Sequence, residues 1–217
     1  MKKIISTILI FMTFGAAFAR EITIKVRPGQ HWKEKREPQI ALWLEDSQGN
    51  YIRTLYVTER AGHKSWIFGP KEGRPESLPV WYGASKNGST ASKAEASPST
   101  ASAPSLSRSL DAVTGATPKS ELNLTAQMED GDYIIKAEFN NSFDYNDFYT
   151  KKNSGVNGQP SVVYSAKIPA DLATGQEITL EFEGTGSLTG EESSIHKDTK
   201  NLTTAKKIVK AVTVNCK

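Results

Sequence analysis

Hydrophobic and polar residues alternate with a period of two along most of the chain. Ile22, Ile24 and Val26 stand between polar neighbours from Glu21 to Val26, the pattern of a half-buried strand, and Arg27-Pro28-Gly29 ends it. From Pro38 to Thr58 the pattern predicts a β-hairpin. Ile40, Leu42 and Leu44 alternate with Ala41 and Trp43, Asp46-Ser47-Gln48-Gly49-Asn50 makes the turn, and Tyr51 to Val57 returns. Apolar residues on both faces place that hairpin centrally, with one face on the core and the other under a loop. Leu122 to Gln127 and Tyr133 to Phe139 flank Glu129-Asp130-Gly131-Asp132 and read as a second hairpin with an Asp-Gly turn. Ser161 to Ile168, Glu177 to Phe182 and Val209 to Val214 supply the remaining strands. Leu202, Ala205, Val209 and Val212 also fit helical spacing, so Thr203 or Thr204 is a candidate cap for a short helical turn before the last strand.

Between these runs the period is lost. Glu59 to Pro75 is turn-rich, with Trp66-Ile67-Phe68 as a short apolar patch. Ser77-Leu78-Pro79-Val80-Trp81-Tyr82 predicts a helical turn capped by Ser77, with Leu78 and Trp81 docked on the sheet. Ala84 to Ser109 is built almost wholly from Ser, Ala, Thr, Pro, Lys and Glu; burial cannot offset its ordering entropy, so it reads as a disordered loop. Asn140 to Pro160 is a long irregular loop carrying Phe143, Tyr145, Phe148 and Tyr149. Its Asp144 and Asp147 lack the spacing of a calcium loop and read as solvated turn residues. Short strands with these turn signals predict an all-β fold, an immunoglobulin-like antiparallel β-sandwich, as one domain over residues 20–217 interrupted by the loop at 84–109.

The first nineteen residues read as an export signal. Lys2 and Lys3 precede the apolar run Ile4 to Phe14, and Ala17-Phe18-Ala19 forms a small–x–small cleavage site. The run is about half the roughly 20 residues a spanning helix needs, so cleavage before Arg20 and a periplasmic or secreted product without membrane insertion are expected. Losing Lys2 and Lys3 takes the 27 basic residues to 25, against 24 acidic ones. Such a balance does not forecast a nucleic-acid partner. Cys216 is the lone cysteine, so the chain has no internal disulfide and no thiolate metal cluster. His31, His63 and His196 are scattered without ligand spacing, and no nucleophile elbow, P-loop or dinucleotide fingerprint is present. No residue takes a catalytic or metal-ligating role on these grounds. Trp32 in its basic run reads as a cover for the sheet edge; Trp66, Trp81 and Tyr82 read as core packing rather than as a carbohydrate platform.

One stretch carries a specific chemistry. Asp111-Ala112-Val113-Thr114-Gly115-Ala116-Thr117-Pro118 follows the low-complexity tract. Asp111 to Thr117 resembles D-x-x-[S/T]-G-A-T, the sequence at which bacterial flavin transferases attach flavin mononucleotide (FMN) to extracytoplasmic carrier proteins. The resemblance implies that the Thr117 hydroxyl attacks the flavin-side phosphate of FAD and is left as a phosphoester to FMN. Gly115 and Ala116 are small enough for the backbone to enter another enzyme's active site, and the resemblance implies that Asp111 would be a recognition handle. On this reading Asp111, Thr114, Gly115, Ala116 and Thr117 are the candidate cofactor-binding residues, and a flavin transferase and membrane redox proteins are the partners. Pro118 departs from the pattern, since flavin-carrier domains tend to place a hydrophobic or hydroxylated residue there. Without the resemblance, the same residues are a Gly turn and a Pro lead-in to the strand near Leu122.

A second resemblance spans both sides of the low-complexity tract. Leu42-Trp43-Leu44-Glu45-Asp46, Arg53-Thr54-Leu55-Tyr56-Val57, Leu78-Pro79-x-Trp81, Asp111 to Pro118, Gly158-Gln159-Pro160-Ser161 and Leu202-Thr203-Thr204-Ala205-Lys206 resemble a family of predicted periplasmic bacterial proteins, domain of unknown function 2271. That family is similar to flagellar hook-capping immunoglobulin-like modules. It often occurs beside flavin-transferase and PepSY-type membrane reductase genes, and it has no established enzymatic activity. The resemblance implies a non-catalytic periplasmic protein in a flavin-linked redox system. The alternatives are a cofactor-free binding or assembly module, with Trp32, Trp66 and Tyr149 as candidate contacts, and a carbohydrate-binding module.

Overall fold

The computed structural model describes residues 19–32, 37–62, 74–94, 113–115 and 118–217. It is an all-β sandwich of two sheets. The strands are β1 (Ala19–Pro28), β2 (Gln39–Asp46), β3 (Tyr51–Thr58), β4 (Val113–Gly115), β5 (Leu122–Glu129), β6 (Tyr133–Asn140), β7 (Val162–Ile168), β8 (Glu177–Thr179), β9 (Glu181–Thr185) and β10 (Val209–Cys216). One sheet has the order β5-β1-β10-β8 and the other β4-β3-β2-β6-β7-β9. Each draws strands from both sides of the Ser/Ala-rich tract. Among the described strands all pairings are antiparallel except that of β4 with β3.

The core lies between the sheets and is filled by the period-two residues. Ile22, Ile24 and Val26 of β1, Ile40, Leu42 and Leu44 of β2, Ile135, Ala137 and Phe139 of β6, and Val212 and Val214 of β10 form one buried cluster. The opposite face of the six-stranded sheet is buried as well. Ala41, Trp43, Val57 and Val163 lie there with Leu78 and with Val80 and Trp81 of helix α2 (Pro79–Ala94). Both faces of β2 are therefore covered, as its double apolar pattern predicts, but the cover is a helix rather than a loop. Two short helices, α1 (Glu59–Gly62) and α3 (Lys151–Ser154), lie in connections.

Several expectations are corrected. Residues 84–94, expected to be disordered, continue α2 to Ala94; residues 95–112 lie outside the described ones. Ser77 does not cap α2: it ends a 3-10 turn, Pro75–Ser77, and its buried hydroxyl has no hydrogen-bond partner among the described residues. The Asp-Gly segment is not a hairpin turn. β5 pairs with β1 in one sheet and β6 with β2 and β7 in the other, so Gly131, at φ 150°, sits at a corner where the chain changes sheets. Arg20 fixes this corner by donating to the carbonyls of Gly131 (2.8 Å) and Pro169 (2.6 Å). The strand expected from Glu177 to Phe182 also divides. β8 pairs with β10 and β9 with β7, and Leu180 is buried at the change of sheet. Thr204 precedes a 3-10 turn, Ala205–Lys207, without capping it; its hydroxyl donates to Asp144 instead.

Candidate functional site

Within the flavinylation-like stretch, residues 113–115 form a strand at an edge of the six-stranded sheet. β4 runs parallel to the end of β3, with Val113 beside Tyr56, Thr114 beside Val57 and Gly115 beside Thr58. Gly115 is thus a strand residue, not the turn that its type suggests. Thr58 is itself fixed: its hydroxyl accepts from the Ile40 amide at 3.1 Å and donates to Gln39 Oε1 at 3.2 Å. Asp111, Ala116 and Thr117 lie outside the described residues.

On the far side, the Pro118 carbonyl accepts a 3.1 Å hydrogen bond from the indole Nε1 of Trp32. Trp32 is 9% exposed and belongs to the core cluster, so it does not cover a sheet edge as its sequence context suggests. Its position follows from the turn before it. The Gly29 amide donates to the Ile208 carbonyl (2.8 Å) and the His31 amide to the Lys207 carbonyl (2.9 Å). A Cβ on Gly29 would collide with the Lys207 carbonyl, so the close approach requires glycine. The Asn141 side chain donates to the His31 carbonyl at 2.7 Å. Lys119 and Ser120 are exposed as the chain leaves for β5. Two residues separate Gly115 from Pro118, so these flanks lie within about 10 Å by chain reach. The chain enters this interval from a strand of one sheet and leaves it clamped to an indole in the shared core.

A second arrangement was not read from the sequence. Glu138, on the outer face of β6, is 0% exposed and reaches the N-terminus of α2. Its Oε2 accepts from the Trp81 amide at 2.8 Å, and its Oε1 from the Val80 amide at 3.3 Å and the Ser161 hydroxyl at 2.6 Å. Burial pushes its pKa up to about 7, against the opposing effect of these hydrogen bonds. The available signal was a missing one: the residue before Pro79 is Leu78, which has no side-chain oxygen to cap a helix.

The other sequence candidates are dispersed. Trp81 is buried and donates from Nε1 to Thr54 Oγ1 at 2.8 Å, and Tyr82 is half-buried beside it, so the two form no open platform; Trp66 lies outside the described residues. Asp144 is buried rather than solvated: it accepts from Gln159 Nε2 (3.0 Å) and Thr204 Oγ1 (2.6 Å). Asp147 is exposed, as expected. His196 pairs with Glu192 at 3.0 Å on the surface, and His63 lies outside the described residues. Among the described residues no group of three His, Cys, Asp or Glu side chains is placed to hold a metal ion, and no helix is long and apolar enough to cross a membrane. Sequence reasoning also missed a surface feature of the 140–160 loop. Phe143, Phe148 and Val156 are 44%, 55% and 41% exposed, and Phe143 has a left-handed backbone, φ 62°. No family model, curated protein or solved structure matches the chain.

Proposed function

We propose that the protein is an exported, non-catalytic β-sandwich that carries FMN covalently on Thr117 within an extracytoplasmic flavin-linked redox system. The observation that carries this reading is the complete Asp111-x-x-Thr114-Gly115-Ala116-Thr117 pattern in a chain whose first nineteen residues read as an export signal. The flanks support it: Gly115 is paired to β3 and the Pro118 carbonyl accepts from Trp32, so the chain on both sides of the candidate acceptor is held. In the reaction, Thr117 Oγ attacks the FMN-side phosphorus of FAD and its proton passes to a base on the transferase. The bond between the two phosphates breaks and AMP leaves, so the product is a phosphoester with no net redox change. Co-expression with an active flavin transferase should raise the intact mass by one FMN less one water, and Thr117→Ala should abolish the rise. An unchanged wild-type mass, beside a control carrier that the same transferase loads, sinks the reading.

The assembly-module reading rests on the exposed aromatic side chains of the 140–160 loop rather than on Trp32, which is buried. A colourless protein that co-purifies with a partner, and loses it in a Phe143→Ser, Phe148→Ser double variant, would favour that reading.

A further inference from the structure

We propose that α2 is a detachable cover on the outer face of the six-stranded sheet, latched at its N-terminus by Glu138, and that it comes off that face more readily as pH rises from acid to neutral. The hydrogen-bond accounting at the helix start points to the latch. A helix leaves its first amides without internal partners. Pro79 has no amide hydrogen, the Tyr82 amide reaches the Leu78 carbonyl at 3.0 Å, and the amides of Val80 and Trp81 both go to the Glu138 carboxylate. Among the described residues no side chain of the preceding turn takes part, and the cap of α2 comes from the sheet beneath it.

The carboxylate is enclosed on every side. Ala41 of β2 and Val163 of β7 flank Glu138 in the sheet, Ser161 donates from the approach to β7, and Gly186 closes the back. A Cβ on Gly186 would stand 2.9 Å from Glu138 Oε1 and 2.7 Å from Pro79 Cγ. None of these neighbours carries a charge. The next residue on that face of β6 is Lys136, already engaged by Glu45 at 3.3 Å and Glu183 at 3.7 Å. At the margin of the apolar cluster, Tyr51 titrates above its ordinary value because of burial, and His196, beside Ile195, pairs outward with Glu192. Seated, α2 therefore keeps a carboxyl group away from water, and no cation among the described residues pairs with it.

The direction with pH follows. With α2 seated, the Glu138 carboxyl keeps its proton up to about pH 7; lifted into water, it would titrate near 4.5. The seated state binds more protons between these values, so seating is tightest below pH 4.5, weakens through the window and is level above pH 7. The two values cap the change in the seating equilibrium at roughly 300-fold. The apolar contacts of Leu78, Val80 and Trp81 do not titrate, so they favour the seated state equally at every pH.

Amide hydrogen exchange on the intact protein between pH 5 and 8, corrected for intrinsic rates, tests the latch. Protection of the amides from Tyr82 to Gly88 should fall tens-fold or more across the window, while β2 and β6 change far less. Glu138→Gln should make α2 protection insensitive to pH. Should that variant not fold, Ser161→Ala is decisive: loss of a bond that stabilises the carboxylate should move the window to higher pH. Flat α2 protection in the wild type, an equal fall in β2 and β6, an unchanged slope in Glu138→Gln or an unmoved window in Ser161→Ala would each overturn the proposal.

Discussion

The indole of Trp32 has two separate tasks. Its ring packs in the core, and its N–H leaves the apolar environment only to meet the Pro118 carbonyl. A buried indole N–H without an acceptor is costly, so the core and the downstream flank of the candidate acceptor are fixed by the same side chain. Trp32→Phe keeps most of the ring and removes the donor. Loss of the hydrogen bond should cost about 1 kcal/mol, and the smaller ring adds a cavity penalty, both measurable from the urea midpoint. The local effect should be larger than the global one. Lys119 is exposed next to the released carbonyl, so limited trypsin cleavage after Lys119 should speed up several-fold in native conditions. Unchanged cleavage would mean that contacts other than the indole hold the segment.

Elements differ in how far the sequence announced them. The β2–β3 hairpin was readable because its turn residues and both faces agree, and Asp46 closes the loop as expected, accepting from the amides of Gln48 (2.9 Å) and Asn50 (2.8 Å). The false hairpin at Gly131 shows where local signals stop. An Asp-Gly step states that the chain turns, not whether the strands it joins pair with each other. The patterns on either side gave no warning: Leu122 to Gln127 and Tyr133 to Phe139 both alternate, with Lys136 and Glu138 on the polar side of the second, and alternation alone does not say which sheet a strand joins. The candidate acceptor stretch was legible as a motif, but the parallel pairing of β4 and the Trp32 clamp depend on contacts far away in sequence. Helix α2 was hidden for a different reason. Its composition past Tyr82 is weakly helical, and the fold supplies what the residues lack: the trans cap from Glu138 and close seating at small positions. Gly83 lies so near Ser193 that a Cβ has no room. Gly83→Val should push the helix from its seat at a cost of roughly 1–3 kcal/mol, even though valine and glycine differ little in helix preference. A urea midpoint equal to the wild type would show that the loop at Ser193 yields freely.

At the scale of the molecule, the two sheets are tied together differently along their two sides. On one side the chain itself changes sheets at Leu180. On the other, Arg53 of β3 donates to the Gln127 carbonyl of β5, and the candidate acceptor stretch crosses from β4 to β5. The end of the sandwich next to that crossing is where buried polar groups concentrate. Gln159, Asp144, Thr204 and Asn140 bond one another and the adjacent backbone, and Asn141 reaches the His31 carbonyl beside Trp32. This network orders a long loop whose outer residues include Phe143 and Phe148, an arrangement that uses polar burial to hold apolar side chains in water. Phe143 adds backbone strain, because a left-handed conformation at a large side chain costs on the order of 1 kcal/mol. Asparagine tolerates that conformation, so Phe143→Asn should raise stability by about 0.5–1 kcal/mol, seen as a higher urea midpoint at unchanged slope. A lower midpoint would mean that the edge-to-face contact with Tyr145, at a centroid separation of 6.4 Å, outweighs the strain. A gain would mean that phenylalanine at this position opposes folding, which directs the search for its role to what the loop touches rather than to what it stabilises.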